Sequence, residues 1–307
     1  MTLKKYVIGI DYGTLSGRCV LVDVSSGEEV AESVLNYAHG VMDEALPSGK
    51  KLPLLYALQH PQDYLDVLKT TIRDVLRQAN VSSDAVVGMG IDFTACTILP
   101  VDAEGTPLCF KENYADNPHA YVKLWKHHAA QPEADEIAAL AEKRNEDWLS
   151  IYGRKISSEW ALPKILQVLR EAPEVYADTE RFIEAADWLS LMLTGKETHS
   201  AVFAGYKGLW NDESGYPSNE YISRFRVCIS HVEGWRTPKF PLRCLKKYPI
   251  KKIALHLDGD EAGQLGAKGM MAVLGECYEM HYRPPPVGKD FNEYLQIKTA
   301  DSAQQER

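Results

Sequence analysis

Two β-rich runs, 6–11 and 18–24, flank the turn Tyr12-Gly13-Thr14-Leu15-Ser16-Gly17, and 29–37 reads as a third strand. Branched and apolar residues bounded by Gly, Thr and Ser spell a β-meander, which commits the start of the chain to an antiparallel sheet. Such a sheet needs a cover on at least one face. Residues 61–80 supply it: Tyr64, Leu65, Leu68, Ile72, Val75 and Leu76 recur at the spacing of an amphipathic helix, with Pro61 at its start. The run 86–93 is apolar, short and interrupted by Gly88 and Gly90, as a buried strand is.

Between these elements, 38–60 holds Gly40, Pro47, Gly49 and Pro53 with no sustained period and reads as a loop. A further strand is expected over 96–102, turning at Glu104-Gly105, and helices over 118–129, 133–143, 160–170 and 178–193, the last capped by Gly195. Meander, helix, strands and then helices make an α/β arrangement. No internal repeat is visible.

Near residue 222 the character of the chain changes. Residues 1–221 carry 20 basic and 33 acidic side chains, a net of −13, whereas 222–307 carry 14 and 10, a net of +4. An acidic front argues against non-specific nucleic-acid binding there, and a mildly basic tail permits it. With 307 residues, 45% hydrophobic and 25% charged, the chain has the balance of a globular protein of two ordinary domains. It has no apolar run of about 18 residues, and its start does not read as a signal-peptide core, so no membrane association and a cytoplasmic location are expected. The six cysteines are scattered, without CxxC or companion histidines, which favours reduced thiols over a zinc site.

In Asp11-x-Gly13-Thr14-x-x-x-Arg18, glycine lets the backbone approach a ligand closely, Thr14 offers a hydroxyl and exposed amides to phosphate oxygens, and Asp11 ends the strand where a hydrated Mg²⁺ could be held. The short pattern by itself fits an ordinary hairpin equally well. Three further segments decide between the two: Gly90-Ile91-Asp92-Phe93-Thr94-Ala95-Cys96-Thr97, Tyr121-Val122-Lys123-Leu124-Trp125-Lys126-His127-His128 and Ala204-Gly205-Tyr206-Lys207-Gly208-Leu209-Trp210. Together with the opening they resemble the FGGY carbohydrate kinases over about residues 5–221. The resemblance implies a truncated actin-like, ribonuclease-H-like ATPase domain. It also implies ATP and Mg²⁺ as cofactors, with phosphoryl transfer to the primary hydroxyl of L-ribulose or a related ketopentose. By the same resemblance, Asp11, Gly13, Thr14 and Arg18 face the transferred phosphate and its metal. Asp92 and Ala95 line the sugar pocket, with Trp125 as a wall and Lys207 as a hydrogen-bonding cation.

Each of these residues has a plainer reading. Asp92 could cap a turn, Trp125 could pack in the core beside Leu124, and His127-His128 fits a solvated helix face. Lys207 is harder to explain as packing, because a buried lysine needs a partner. The aspartate that accepts the hydroxyl proton in such kinases, and most of the nucleotide site, are expected beyond the matched segment. No catalytic residue is therefore identified, Asp92 and Asp187 have no support as substitutes, and impaired turnover is expected.

The tail carries a second pattern. A strand over 250–257, a helix over 261–274 and a strand over 277–282 make a β-α-β unit with a Pro284-Pro285-Pro286 exit. Asp258 and Asp260 stand two apart at the first strand's end, on one face, and could share one Mg²⁺. A strand-to-helix turn favours Asp and Gly without any metal as well. With Gly288-Lys289-Asp290-Phe291-Asn292-Glu293, residues 235–297 resemble the back half of a TOPRIM domain, which implies Mg²⁺-dependent nucleic-acid processing. The upstream glutamate such domains need is not evident, Glu233 being a poor fit. The expected organisation is an incomplete kinase domain over 1–221, a junction over 222–234, a TOPRIM-like half domain over 235–299 and a frayed tail over 300–307. A fusion of two truncated genes without a function of its own is the third reading.

Overall fold

The computed structural model describes residues 4–211, 215–225, 252–255, 264, 268, 271 and 279–286. The chain divides into two compact units, Met1–Pro238 and Lys239–Arg307.

The first unit opens with the expected meander, β1 (Tyr6–Tyr12), β2 (Ser16–Asp23) and β3 (Glu29–Asn36). A two-residue strand, β4 (Leu58–Gln59), precedes α1 (Pro61–Ala79), and β5 spans Val86–Phe93. The first sheet has the order β3-β2-β1-β5, with β1 antiparallel to β2 and parallel to β5. A parallel neighbour requires a crossover, and α1 is that crossover. It begins where Pro61 needs no amide partner and the His60 ring accepts from the Gln62 amide, and it ends at Asn80 in the left-handed region.

The helix seats very close to β2, because a Cβ at Gly17 would overlap Val67. Beneath it Ile8, Ile10, Tyr12, Cys19 and Leu21 join Tyr64, Val67, Val75 and Phe93 in one apolar core. Tyr12 stacks on Phe93 with ring centroids 4.9 Å apart. The opposite sheet face carries Gly9, Asp11, Arg18, Val20, Gly90 and Asp92, and that face holds the candidate site.

The second sheet has the order β4-β7-β6-β8, from β6 (Ile98–Val101), β7 (Val122–Lys123) and β8 (Arg181–Glu184). Around it lie α2 (Gln131–Arg144), α3 (Trp148–Ile151), α4 (Ala161–Glu171), α5 (Pro173–Asp178), α6 (Ala185–Thr194), α7 (Ala201–Lys207) and α8 (Asn219–Ser223). Two expected helices are corrected. Residues 118–129 form a single 3-10 turn and then β7, because Leu58 and Gln59 pair with Lys123 and Val122. The expected helix over 178–193 begins only at Ala185. Phe182 and Ile183 extend instead as β8 and pair with Pro100 and Leu99 of β6.

A second correction concerns His127, read from the sequence as solvated. It is fully buried, accepts from the Ala57 amide and donates Nε2–H to Gln167 Oε1 at 2.9 Å. Burial, reinforced by Lys123, holds its ring neutral. His128 does lie on the surface.

In the second unit β9 (Lys252–Leu255) and β10 (Glu279–Tyr282) pair in parallel, Ala254 opposite His281. Gln264, Lys268 and Met271 are helical. Asp258 and Asp260 lie outside the described residues.

Candidate active site

The β1–β2 register sets Asp11 directly opposite Arg18, and the β1–β5 register sets Asp11 beside Asp92. Partnered residues share a sheet face, so two carboxylates and one guanidinium converge there. They line a cleft of about 390 Å³ with Gly9, Ile10, Val20, Gly90 and Ile91. Its floor is low because Gly9 lies opposite Gly90, and a Cβ at Gly90 would meet nothing within 4 Å. Two carboxylates flanked by an arginine suit a hydrated divalent cation bridging to phosphate oxygens, since Mg²⁺ takes few protein ligands and keeps its waters. Among the described residues no group of three or more His, Cys, Asp or Glu side chains forms an all-protein metal cage.

The turn between β1 and β2 is held from several sides. The Gly13 amide donates to Ser16 O at 2.9 Å, and Tyr37 donates its hydroxyl to Gly13 O at 2.9 Å. Gln59 donates its amide to Thr14 O at 2.8 Å and accepts the Tyr64 hydroxyl at 2.6 Å. Trp125, half-buried just beyond β7, donates its indole N–H to Thr14 Oγ1 at 3.2 Å. Trp125 therefore belongs to the rim of the hairpin and not to the core.

The second group gathers about the turn 94–97 that leaves β5. Thr94 and Thr97 hydroxyls are 2.9 Å apart, and Cys96 adopts φ 62°. A left-handed non-glycine residue is uncommon and is held by its surroundings. Lys207, at the end of α7, pairs with Glu159 at 2.8 Å, both side chains being largely covered. The charges of Lys207 and Glu159 are felt at the Cys96 thiol, so this pair sits near the residue that follows Ala95. Burial pushes that thiol up to about 12, which leaves it inert.

The structure thus joins Asp11, Arg18 and Asp92 on one face, and joins Thr14 to Trp125. Asp92 lies with the hairpin group, its carboxylate accepting the Phe93 amide at 2.9 Å. Asp187 is engaged elsewhere, accepting the Ser200 amide at 3.1 Å and facing His199. Sequence reasoning missed Tyr37, Gln59 and Glu159. Gln59 and Glu159 stand in segments without periodicity, and only the need of Lys207 for a partner pointed to such an acid.

Residues 6–216 match the FGGY family of carbohydrate kinases, N-terminal domain, and residues 226–295 match a Toprim-like family. The chain is 52% identical over 285 residues to the ribulokinase of Halalkalibacterium halodurans, covering 92% of this chain and 50% of that protein. It is 46% identical over 275 residues to the ribulokinase of Bacillus licheniformis, covering 89% and 49%. The chain thus spans about half the length of these relatives. Among solved structures, a xylulose kinase from Brucella ovis superposes with TM-score 0.58 at 18% identity, covering 74% of this chain and 42% of that one. Such a likeness establishes the fold.

Proposed function

This chain belongs to the FGGY family of carbohydrate kinases, and from that premise we propose that it binds L-ribulose and the phosphate–metal end of ATP. The reaction it serves is phosphoryl transfer to the sugar's primary hydroxyl, giving L-ribulose 5-phosphate. The observation that carries this reading is the bond from Trp125 to Thr14, which links a sugar-pocket wall to the tip of the phosphate hairpin.

In this reading Asp11, with Asp92 beside it, would hold a Mg²⁺ ion, and Gly13, Thr14 and Arg18 would meet phosphate oxygens. Mg²⁺ supplies neutralisation of phosphate charge. Lys207, oriented by Glu159, donates to a sugar hydroxyl, while Ala95 and Trp125 shape the pocket. The family resemblance puts the aspartate that accepts the hydroxyl proton beyond the matched segment. We therefore assign the chain sugar binding with little turnover. Calorimetric titration with L-ribulose tests this: saturable binding weakened at least tenfold by Lys207→Ala supports it. Normal ADP release abolished by Lys207→Ala and Asp11→Ala would overturn the assignment of low turnover.

The Toprim-like match and the parallel pairing of β9 with β10 favour a second activity for the tail, Mg²⁺-dependent binding of single-stranded or nicked DNA through Asp258 and Asp260. Retention of DNA by the full chain at low salt, lost with Asp258→Asn or chelation, supports it. No retention at low salt rules it out.

A further inference from the structure

Lys164 of α4 is fully buried, yet its ammonium meets no carboxylate within ion-pairing distance among the described residues. It donates instead to main-chain carbonyls, Cys96 O at 2.6 Å and Leu124 O at 2.9 Å, with Lys123 O farther off at 3.4 Å. Those carbonyls belong to two separate segments. Cys96 follows Ala95, and Leu124 precedes Trp125. One ammonium thus ties together the two stretches of backbone that carry these pocket residues.

The same turn is gripped from its other side by Glu184, the last residue of β8, which is buried as well. Its Oε2 accepts the Thr97 amide at 3.0 Å, and the next residue, Ala185, donates its amide to Thr97 O at 2.8 Å. Glu184 Oε1 is buried without a hydrogen-bond partner among the described residues. Burial pushes Glu184 up and Lys164 down, and each opposes the shift in the other by its charge. Desolvating two opposite charges to hold four residues is costly unless their placement matters. Between the two grips stands Cys96 at φ 62°, a conformation its side chain disfavours.

We infer that Lys164 is a positioning residue for the sugar pocket: with Glu184 opposite, it holds Cys96 left-handed and fixes the spacing between the Ala95 turn and Trp125. The inference rests on the sugar-binding reading above. Loss of the ammonium frees Cys96 to relax toward the ordinary extended region and moves Ala95 with it. A glycine at position 96 holds positive φ unaided, so it relieves the dependence on Lys164.

The test uses the full chain as wild type, Lys164→Met, Glu184→Gln, Cys96→Gly and the Lys164→Met/Cys96→Gly double variant. Amide hydrogen exchange is measured over 94–97 without sugar, and L-ribulose affinity by calorimetry. Lys164→Met is expected to speed exchange over 94–97 and to weaken L-ribulose at least tenfold. Glu184→Gln, which keeps an acceptor for the Thr97 amide, has a smaller effect of the same sign and stands in should Lys164→Met not fold. Adding Cys96→Gly to Lys164→Met restores affinity at least threefold. Exchange that rises evenly through α4 and the core, or affinity that Cys96→Gly does not restore, makes Lys164 a core strut and overturns the inference. If exchange over 94–97 responds as expected but the wild type binds no L-ribulose, the sugar reading fails, and the positioning role fails with it while the clamp itself stands.

Discussion

The indole N–H of Trp125 donates to the hydroxyl of Thr14, 111 residues earlier in the chain. Thr14 sits at the tip of a hairpin whose strands place Asp11 and Arg18 on one face, and Trp125 leaves a strand that Lys164 anchors through Leu124 O. The bond therefore couples the two sheets of the first unit. A double-mutant cycle with Thr14→Val and Trp125→Phe should return a coupling of about 0.5–1.5 kcal/mol in urea unfolding. Strict additivity would show that the contact contributes nothing.

Gly17 sets the distance between β2 and α1. A methyl there overlaps Val67, which is fully buried and cannot swing into solvent. Gly17→Ala is expected to cost about 1–3 kcal/mol by thermal unfolding, and Val67→Ala in the same chain should recover part of it. A neutral Gly17→Ala would mean that α1 sits farther from the sheet.

His199 predicts a pH dependence of stability. Burial works to lower its pKa, but hydrogen bonds and charge from Asp187 and Glu197 prevail and hold the ring up to about 9. The unfolded ring titrates near 6.5. A folded value above the unfolded one gives stability that is fully present below pH 6.5 and lost as pH rises through about 9. Unfolding free energies from urea titrations between pH 6 and 10 should fall by on the order of 2 kcal/mol, a fall absent in His199→Gln.

The Lys207–Glu159 pair makes a different claim, because both charges are largely removed from water. Lys207→Ala leaves Glu159 unpaired and should cost roughly 1.5–3 kcal/mol of stability. Lys207→Met combined with Glu159→Gln should restore much of that stability without restoring sugar binding. Recovery of both would show that the lysine serves packing alone.

Local patterns predicted the elements whose reasons are local. The meander and α1 with its Pro61 start are written in periodicity and turn residues, and the structure has them. The strand over 86–93 forms as well, but not as the buried strand its apolar run implies: β5 stands at the sheet edge with Val87 and Met89 exposed. The two expected helices that fail do so through distant partners: Val122 and Lys123 pair with Gln59 and Leu58, and Phe182 pairs with Pro100. A short apolar run is compatible with either state until its neighbour is known. The same limit governs the site. Asp11, Gly13, Thr14 and Arg18 lie in one contiguous motif, whereas Glu159, Lys164 and Glu184 act through contacts 40 to 87 positions away and have no local signature.

Titration of the full chain with L-ribulose in the presence of Mg²⁺ and the absence of nucleotide is the most direct test. One saturable site, weakened at least tenfold by Lys207→Ala and by Trp125→Ala, is the predicted result. No saturable heat in a folded wild-type chain, or an affinity unchanged by Lys207→Ala, would contradict the assignment of the sugar pocket.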